Sequence, residues 1–367
     1  MPAALRDDAL HTAIEISLRR RLDQHVVEAE AHGPHFAQLW RTAAEHAVGG
    51  KLLRPRLLIE TCRAFATATA HAEAAEHSII DLAGAIELLH YAFLLHDDVI
   101  DGDCERRGRP NLIGTLTRNG PAAIAVDAGE PARADHWGRS GAVLMGDVFL
   151  STALLGFARL DLASPARARL LDLVERTVAE TVSGEYADVG FSDGMLPVDL
   201  PSVLRMSTSK TAAYSFELPL RSASILSHAG DEAEQALSTA GRRIGLAYQL
   251  QDDLLSVFGE QAIHGKDPYS DLREGKETAI IAYARMTSAW PSIEARFGER
   301  DITVAQAERL RDLLRECGAE RYASALVAEQ LEEARTVVDD AVASDTLPPA
   351  VAQVVLTLAD RLEGRRS

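Results

Sequence analysis

Two adjacent aspartate pairs, Asp97-Asp98 and Asp252-Asp253, each lie inside a long apolar stretch whose hydrophobic residues recur at helical spacing. The first reads Leu94-Leu95-His96-Asp97-Asp98-Val99-Ile100-Asp101. The second reads Tyr248-Gln249-Leu250-Gln251-Asp252-Asp253-Leu254-Leu255-Ser256-Val257-Phe258. Buried carboxylates are costly unless they are paired or bound to a cation. On a helix Asp97 and Asp101, four residues apart, share one face, where like charges repel. One such motif alone reads equally well as a helix C-terminus running into solvent. Two of them, each flanked by apolar residues, point instead to facing acidic helices with a small metal cluster between them and a diphosphate bridging it. Mg²⁺ suits such a site, because it combines one or two carboxylates with phosphate oxygens and water. Position 256 is Ser, so Asp252 has no carboxylate one turn further on.

The helical period fills most of the chain. It covers residues 10–32, 35–47, 54–68, 76–101, 141–160, 166–188, 203–210, 231–258 and 305–343, while strand-type alternation is scarce. Pro165 precedes one of these segments and Pro55 suits a first turn. The pattern predicts an all-α fold of ten or more helices with no parallel sheet. With 47% hydrophobic residues over 367 positions, the chain can bury a sizeable core. We expect a single domain over residues 1–367, with a motif-bearing core from about 45 to 290. Segments 119–136, 190–201 and 259–277 carry the Gly, Pro and charge of loops, and 119–136 reads as an insertion between helices.

Net charge is −17, from 55 acidic against 38 basic residues, which argues against nucleic acid as a partner. Three cysteines, none at metal-ligand spacing, argue against a disulfide framework or zinc site and fit a reducing cytoplasm. The first residues, MPAALRDDALHTAIEIS, carry early acids and no apolar core of a signal peptide. No uncharged apolar run reaches about 18 residues, so no transmembrane helix is expected.

Against this acidic background the cations cluster. Glu105-Arg106-Arg107-Gly108-Arg109-Pro110 follows the first acidic motif, and Lys266 with Asp271-Leu272-Arg273-Glu274-Gly275-Lys276 follows the second. Gly49-Gly50-Lys51-Leu52-Leu53-Arg54-Pro55 lies upstream and Ser209-Lys210-Thr211 between. One basic cluster is commonly a solvated turn. Basic turns after both acidic motifs suit phosphate oxygens, with Arg offering a planar fork and Lys a point charge. A P-loop is excluded, because Glu45 stands where its first Gly belongs and Leu52 where Ser or Thr belongs.

Taken in order, these motifs resemble the trans-isoprenyl diphosphate synthase (polyprenyl synthetase) family, most closely its bacterial geranylgeranyl diphosphate synthases. The matching stretch runs from about Gly49 to Thr278 and includes Gly146-Asp147 and Gln249-x-x-Asp252-Asp253. The resemblance implies an isoprenoid synthase-type helical bundle around a central cavity, working as a homodimer in the cytoplasm. It implies that Asp97, Asp101 and Asp252 ligate three Mg²⁺, and that Arg106, Lys210 and Lys266 contact the allylic diphosphate. Lys51, Arg54, His90 and Arg107 would hold isopentenyl diphosphate, and Lys210, Thr211 and Gln249 would act at the reacting carbon. Asp98 and Asp253 would orient waters and basic side chains around the metals. Glu185 stands where the family more often has Gln, and Asp188 follows it as a further candidate acid.

By the same resemblance, the reaction joins dimethylallyl, geranyl or farnesyl diphosphate to isopentenyl diphosphate through ionisation, condensation and elimination. The growing tail would run back along the helix of Asp97, where one turn of about 5.4 Å matches roughly one isoprene unit. Bulky residues one turn before the first Asp shorten products in the family. Phe93 with the small Ala92 therefore favours geranylgeranyl diphosphate over farnesyl diphosphate; ordinary core packing is the other reading of Phe93. A class I terpene cyclase is the main rival, but its Asn/Ser/Glu triad is not evident here. A regulatory subunit of a heteromeric synthase, the non-enzyme alternative, would tend to lose the acidic motifs that this chain keeps.

Overall fold

The computed structural model describes residues 3–69, 76–106, 108–119, 131–259 and 269–364. Among these the chain is almost wholly helical. It runs α1 (Ala3–Ala29), a 3₁₀ turn (Glu30–His32), α2 (Pro34–His46), α3 (Leu53–Thr69) and α4 (Glu76–Asp101). A hairpin of β1 (Glu105–Arg106) and β2 (Arg109–Pro110) follows, then α5 (Leu112–Arg118), α6 (Pro131–Ala158) and α7 (Ser164–Ser192). Next come α8 (Leu200–Ser207), a π-helix (Thr208–Glu217), α9 (Leu218–Leu226) and α10 (Asp231–Phe258). The chain ends with α11 (Ser270–Glu274), α12 (Ala279–Arg285), α13 (Trp290–Glu294), α14 (Val304–Glu316), α15 (Ala319–Ala343) and α16 (Pro349–Glu363).

The all-α expectation holds, with local differences. The two-residue strands after α4 were not anticipated, because pairs so short leave no alternation to read. The segment expected to stay helical only to residue 210 runs on as a π-helix to Glu217. Part of the expected 259–277 loop folds as α11, which closes on Gly275 at φ +71°, a left-handed cap that glycine adopts without a Cβ penalty. Of the expected insertion at 119–136, residues 120–130 lie outside the described residues, and Pro131 already opens α6.

The chain divides into two compact units, one of Met1–Glu60 with Glu73–Leu171 and the other of Thr61–Ala72 with Asp172–Ser367. The first unit is built on α4 packed along α6. The inward stripe of α4 is Leu82, Ile86, Leu89, Ala92 and Leu95, and α6 contributes Met145, Phe149 and Phe157, all fully or almost fully buried. Trp40 of α2 meets Phe149 edge-on at 5.3 Å, closing the layer on that side. Fully burying side chains of this size contributes about 1.5–3 kcal/mol each. Small residues bring the two helices together: a Cβ on Gly156 would stand 2.8 Å from that of Ala85.

Helices α4 and α6 are each long and apolar enough to cross a membrane on composition alone. In α4, however, 61% of the apolar window is buried inside the protein, which accounts for its hydropathy as core packing.

The second unit is built on α10 packed along α15, with the π-helix and α9 against the same helix. A separate apolar cluster beyond it joins Val257, Leu272, Ile280, Ile293, Leu310 and Leu314. Thr303 starts α14 with a reciprocal capping box to Gln306, as the T-x-x-Q spacing dictates.

Candidate active site

In the first unit the acidic end of α4 is the focus. Asp97 and Asp101 lie one turn apart, with a carboxylate oxygen of each within 4.8 Å of the other. Asp98 points inward and is 3% exposed. The hairpin carries Arg106 back onto it: Nη2 donates to Asp98 Oδ1 at 2.5 Å and Nε to the same oxygen at 3.2 Å, while Nη2 reaches Asp97 Oδ2 at 3.4 Å. Burial raises the Asp98 carboxyl pKa more than Arg106 lowers it, and the neighbouring Asp97 adds to the rise. Burial opposes the Arg106 charge, yet Asp98 and Asp97 outweigh it and raise the guanidinium pKa.

His90, Phe93, Asp97 and Asp101 recur at the spacing of one helical face, and His90, Phe93 and Asp97 are all half-buried. Ala92 is fully buried on the neighbouring core stripe. Lys51 is exposed just before α3 and Arg54 is half-buried in its first turn. The loop between them is held tightly, since Leu52 is 1% exposed at φ +49°, a left-handed conformation rare for leucine. Gly50 beside it lies over buried Glu87, whose Oε1 would be 3.4 Å from a Cβ there. Arg107 and Lys266 lie outside the described residues.

In the second unit the π-helix presents Lys210 and Thr211. Lys210 Nζ reaches Asp188 Oδ2 at 2.7 Å and Glu185 Oε2 at 2.9 Å, both from α7. Thr211 Oγ1 donates to Gln249 Oε1 at 2.7 Å, and Gln249 Nε2 donates to Asp253 Oδ1 at 2.9 Å. A polar chain thus runs from the π-helix to the buried acid of α10. Asp253 is 4% exposed, and burial pushes its pKa up to about 7 against the opposing pull of Lys276. Asp252, next to it, is half-buried, and Ser256 lies one turn further along α10.

Three glycines let the π-helix sit backbone-to-backbone in its bed. A Cβ on Gly184 of α7 would stand 2.3 Å from Lys210 N, and one on Gly245 of α10 would stand 2.5 Å from Ala212 Cα. A Cβ on Gly241 would stand 3.1 Å from Glu217 Cα. π-helices are rare and often mark functional sites.

Lys276 was quoted in its motif but given no role by the sequence. It follows the Gly275 cap, its amide bonded to Asp271 O at 3.0 Å. Desolvation works against its charge, but Asp271, Asp188 and Asp253 outweigh that and raise its pKa. The sequence signal for this was only the D-x-x-x-x-K spacing. Which acids surround the ammonium depends on helices distant in the chain.

Known proteins bear on this arrangement. The sequence profile described as Polyprenyl synthetase matches residues 37–314. A geranylgeranyl diphosphate synthase of Methanosarcina mazei is 30% identical over 291 residues, covering 79% of this chain and 80% of that one. A (2E,6E)-farnesyl diphosphate synthase of Mycobacterium tuberculosis is 32% identical over 284 residues, covering 75% and 70%. The crystal structure of a geranylgeranyl pyrophosphate synthase from Corynebacterium glutamicum, complexed with isoprenyl diphosphate and magnesium, superposes with a TM-score of 0.82 at 27% identity, covering 97% of this chain and 99% of that one.

Proposed function

The chain belongs to the polyprenyl synthetase family of prenyltransferases, and from that premise we propose how its own residues carry out the condensation and which product it makes. The substrates are an allylic diphosphate (dimethylallyl, geranyl or farnesyl) and isopentenyl diphosphate, and the product is geranylgeranyl diphosphate. The observation that carries the assignment is the pair Asp97 and Asp101, two carboxylates within 4.8 Å of each other at the end of an apolar helix. Held so close, like charges repel, and a divalent cation between them would relieve that repulsion.

That donor set fits Mg²⁺, and Asp97, Asp101 and Asp252 are the residues that would hold it, as three ions. Bound there, Mg²⁺ neutralises the charge that develops on the departing diphosphate. Lys210, with Arg106 and Lys266, binds the same diphosphate and favours rupture of its C–O bond. Lys51, Arg54, His90 and Arg107 orient isopentenyl diphosphate so that its double bond attacks the allylic carbon and a C–C bond forms. Thr211 and Gln249 turn oxygen dipoles toward the cationic carbon, and the released diphosphate takes the proton lost in the elimination. Asp98 and Asp253 hold Arg106 and Gln249 in place rather than bind metal.

Phe93, one turn before Asp97, limits the tail, while small Ala92 leaves room beside it. Phe93 is also the observation that favours a shorter, farnesyl product as the second choice. We extend the proposal to one functional domain, a homodimer and a cytoplasmic location. Family membership supports the dimer, and three free cysteines, Cys62, Cys104 and Cys317, suit a reducing compartment.

The test is direct. Purified protein is incubated with Mg²⁺, isopentenyl diphosphate and each allylic diphosphate in turn, and products are read by mass spectrometry. Geranylgeranyl diphosphate is expected. Hydrocarbon rings formed without isopentenyl diphosphate would mean a cyclase, and no product at all would remove the assignment.

A further inference from the structure

Against the π-helix lies an ionic network that the proposed chemistry does not use. Its centre is Arg242 of α10. Nη1 and Nη2 donate to the two oxygens of Glu180 at 2.7 and 2.6 Å, a fork-to-fork pair. The third nitrogen, Nε, reaches Glu217 Oε2 at 2.7 Å. Glu217 is the last residue of the π-helix and is 4% exposed. Its other oxygen accepts from Ser238 Oγ at 2.7 Å and Arg221 Nη1 at 3.1 Å. Glu180 in turn accepts a long contact from Ser209 Oγ, at 3.4 Å, from the second residue of the π-helix.

One guanidinium thus joins carboxylates that meet both ends of the same ten-residue segment. Glu217 is itself the far end of the segment and pairs ionically with the guanidinium, and Glu180 touches the near end through Ser209, beside Lys210. A helix wound to i→i+5 bonds has poorer intrinsic geometry than an α-helix and needs outside support to persist. The glycine bed supplies close packing at three points along the segment. Directional charge-assisted hydrogen bonds at both ends fix rotation. A carboxylate as buried as that of Glu217 would also be strongly unfavourable without its partners.

We propose that Arg242 is a positioning residue: by tying Glu180 to Glu217 it holds the π-helix in one rotational setting and so sets where Lys210 and Thr211 stand. The inference rests on the roles assigned above to those two residues. Arg242 touches no reacting group itself. Lysine at this position keeps the charge but loses the planar fork, so it cannot make all three contacts.

The experiment uses the full-length protein and its Arg242→Lys variant, followed by hydrogen exchange and steady-state kinetics. Exchange in the peptide spanning 208–217 is expected to rise in the variant while that of α14 stays unchanged. Turnover should fall by roughly tenfold to a hundredfold, the cost of misplacing a positioned group, with the KM for isopentenyl diphosphate unaltered. In a Lys210→Ala background, Arg242→Lys should cost less than it does in the wild type, because part of its effect runs through the placement of Lys210. Unchanged exchange over 208–217, or losses that multiply independently, would overturn the proposal. If Arg242→Lys does not fold, Glu180→Gln must give the same local rise in exchange, and its absence overturns the proposal equally. Exchange does not depend on catalysis. A wild-type protein that failed to condense prenyl diphosphates would therefore sink the functional assignment and leave the exchange result standing.

Discussion

Gly184 lies directly against the backbone of Lys210: a β-carbon added to it would stand 2.3 Å from the Lys210 amide nitrogen and 2.8 Å from its Cα. Neither atom belongs to a flexible side chain, so the neighbouring helix would have to move. We expect Gly184→Ala to destabilise the fold by about 1–3 kcal/mol, the usual cost of overpacking. Activity should fall further than the loss of folded protein accounts for, because Lys210 moves with its backbone. Thermal unfolding and turnover measured on the same sample check both parts.

Asp97→Ala removes one of the two carboxylates facing each other at the end of α4. Turnover is expected to vanish while far-ultraviolet circular dichroism stays that of the wild type. Chelation with EDTA should do the same to the wild type and be reversed by added Mg²⁺. Near-normal activity in either case would remove the metal site from the mechanism.

Thr211→Val keeps the shape of the side chain but leaves Gln249 Oε1 without its 2.7 Å donor. A hydrogen bond of this kind contributes about 0.5–1.5 kcal/mol. A modest loss of stability is expected together with a fall in kcat, and the Mg²⁺ concentration for half-maximal rate should not change. A kcat equal to wild type would show that the hydroxyl does not face the reaction.

Phe93→Ala should lengthen the product, and Ala92→Phe should shorten it toward farnesyl diphosphate. Phe93 is half-buried while Ala92 is fully buried, so the second substitution also carries an overpacking cost. Mass spectrometry of the product distribution reads both. Identical distributions would return Phe93 to ordinary packing.

Cys62 is buried at 4% exposure, and burial pushes its thiol from 9.0 up to about 12. Between those values the unfolded chain gives up the proton and the folded chain keeps it. The folded state then binds more protons, so stability falls as pH rises through that window. Loss of the buried sulfur should make Cys62→Ala less stable than wild type at pH 8, and without the thiol the variant should lose less on going to pH 11. Urea midpoints at the two pH values decide it.

The helices were legible because burial on one side leaves a period of 3.6 in the residues themselves, as in Leu82, Ile86, Leu89 and Ala92. The acidic motifs were legible because carboxylates in apolar surroundings break that pattern. The winding of 208–217 was not, since a period of 3.6 is what such a reading assumes and the π-helix departs from it. Nor was the pairing of Lys210 with Asp188 and Glu185, or of Arg242 with Glu180 and Glu217. Each joins positions tens of residues apart that only the packing of helices makes neighbours.

The wide winding of Thr208–Glu217 has a consequence for how this protein tolerates change in length. A deletion inside an ordinary helix turns everything beyond it by about 100° and usually spoils the packing. Here a one-residue deletion near Ala213 has a second conformation open to it, since the segment can tighten into the commoner α-helix with all its backbone bonds made. Such a variant could fold well and still be inert, with Lys210 and Thr211 rotated away from Asp188 and Gln249. Stability and activity, which fall together for most deletions, would separate in this segment.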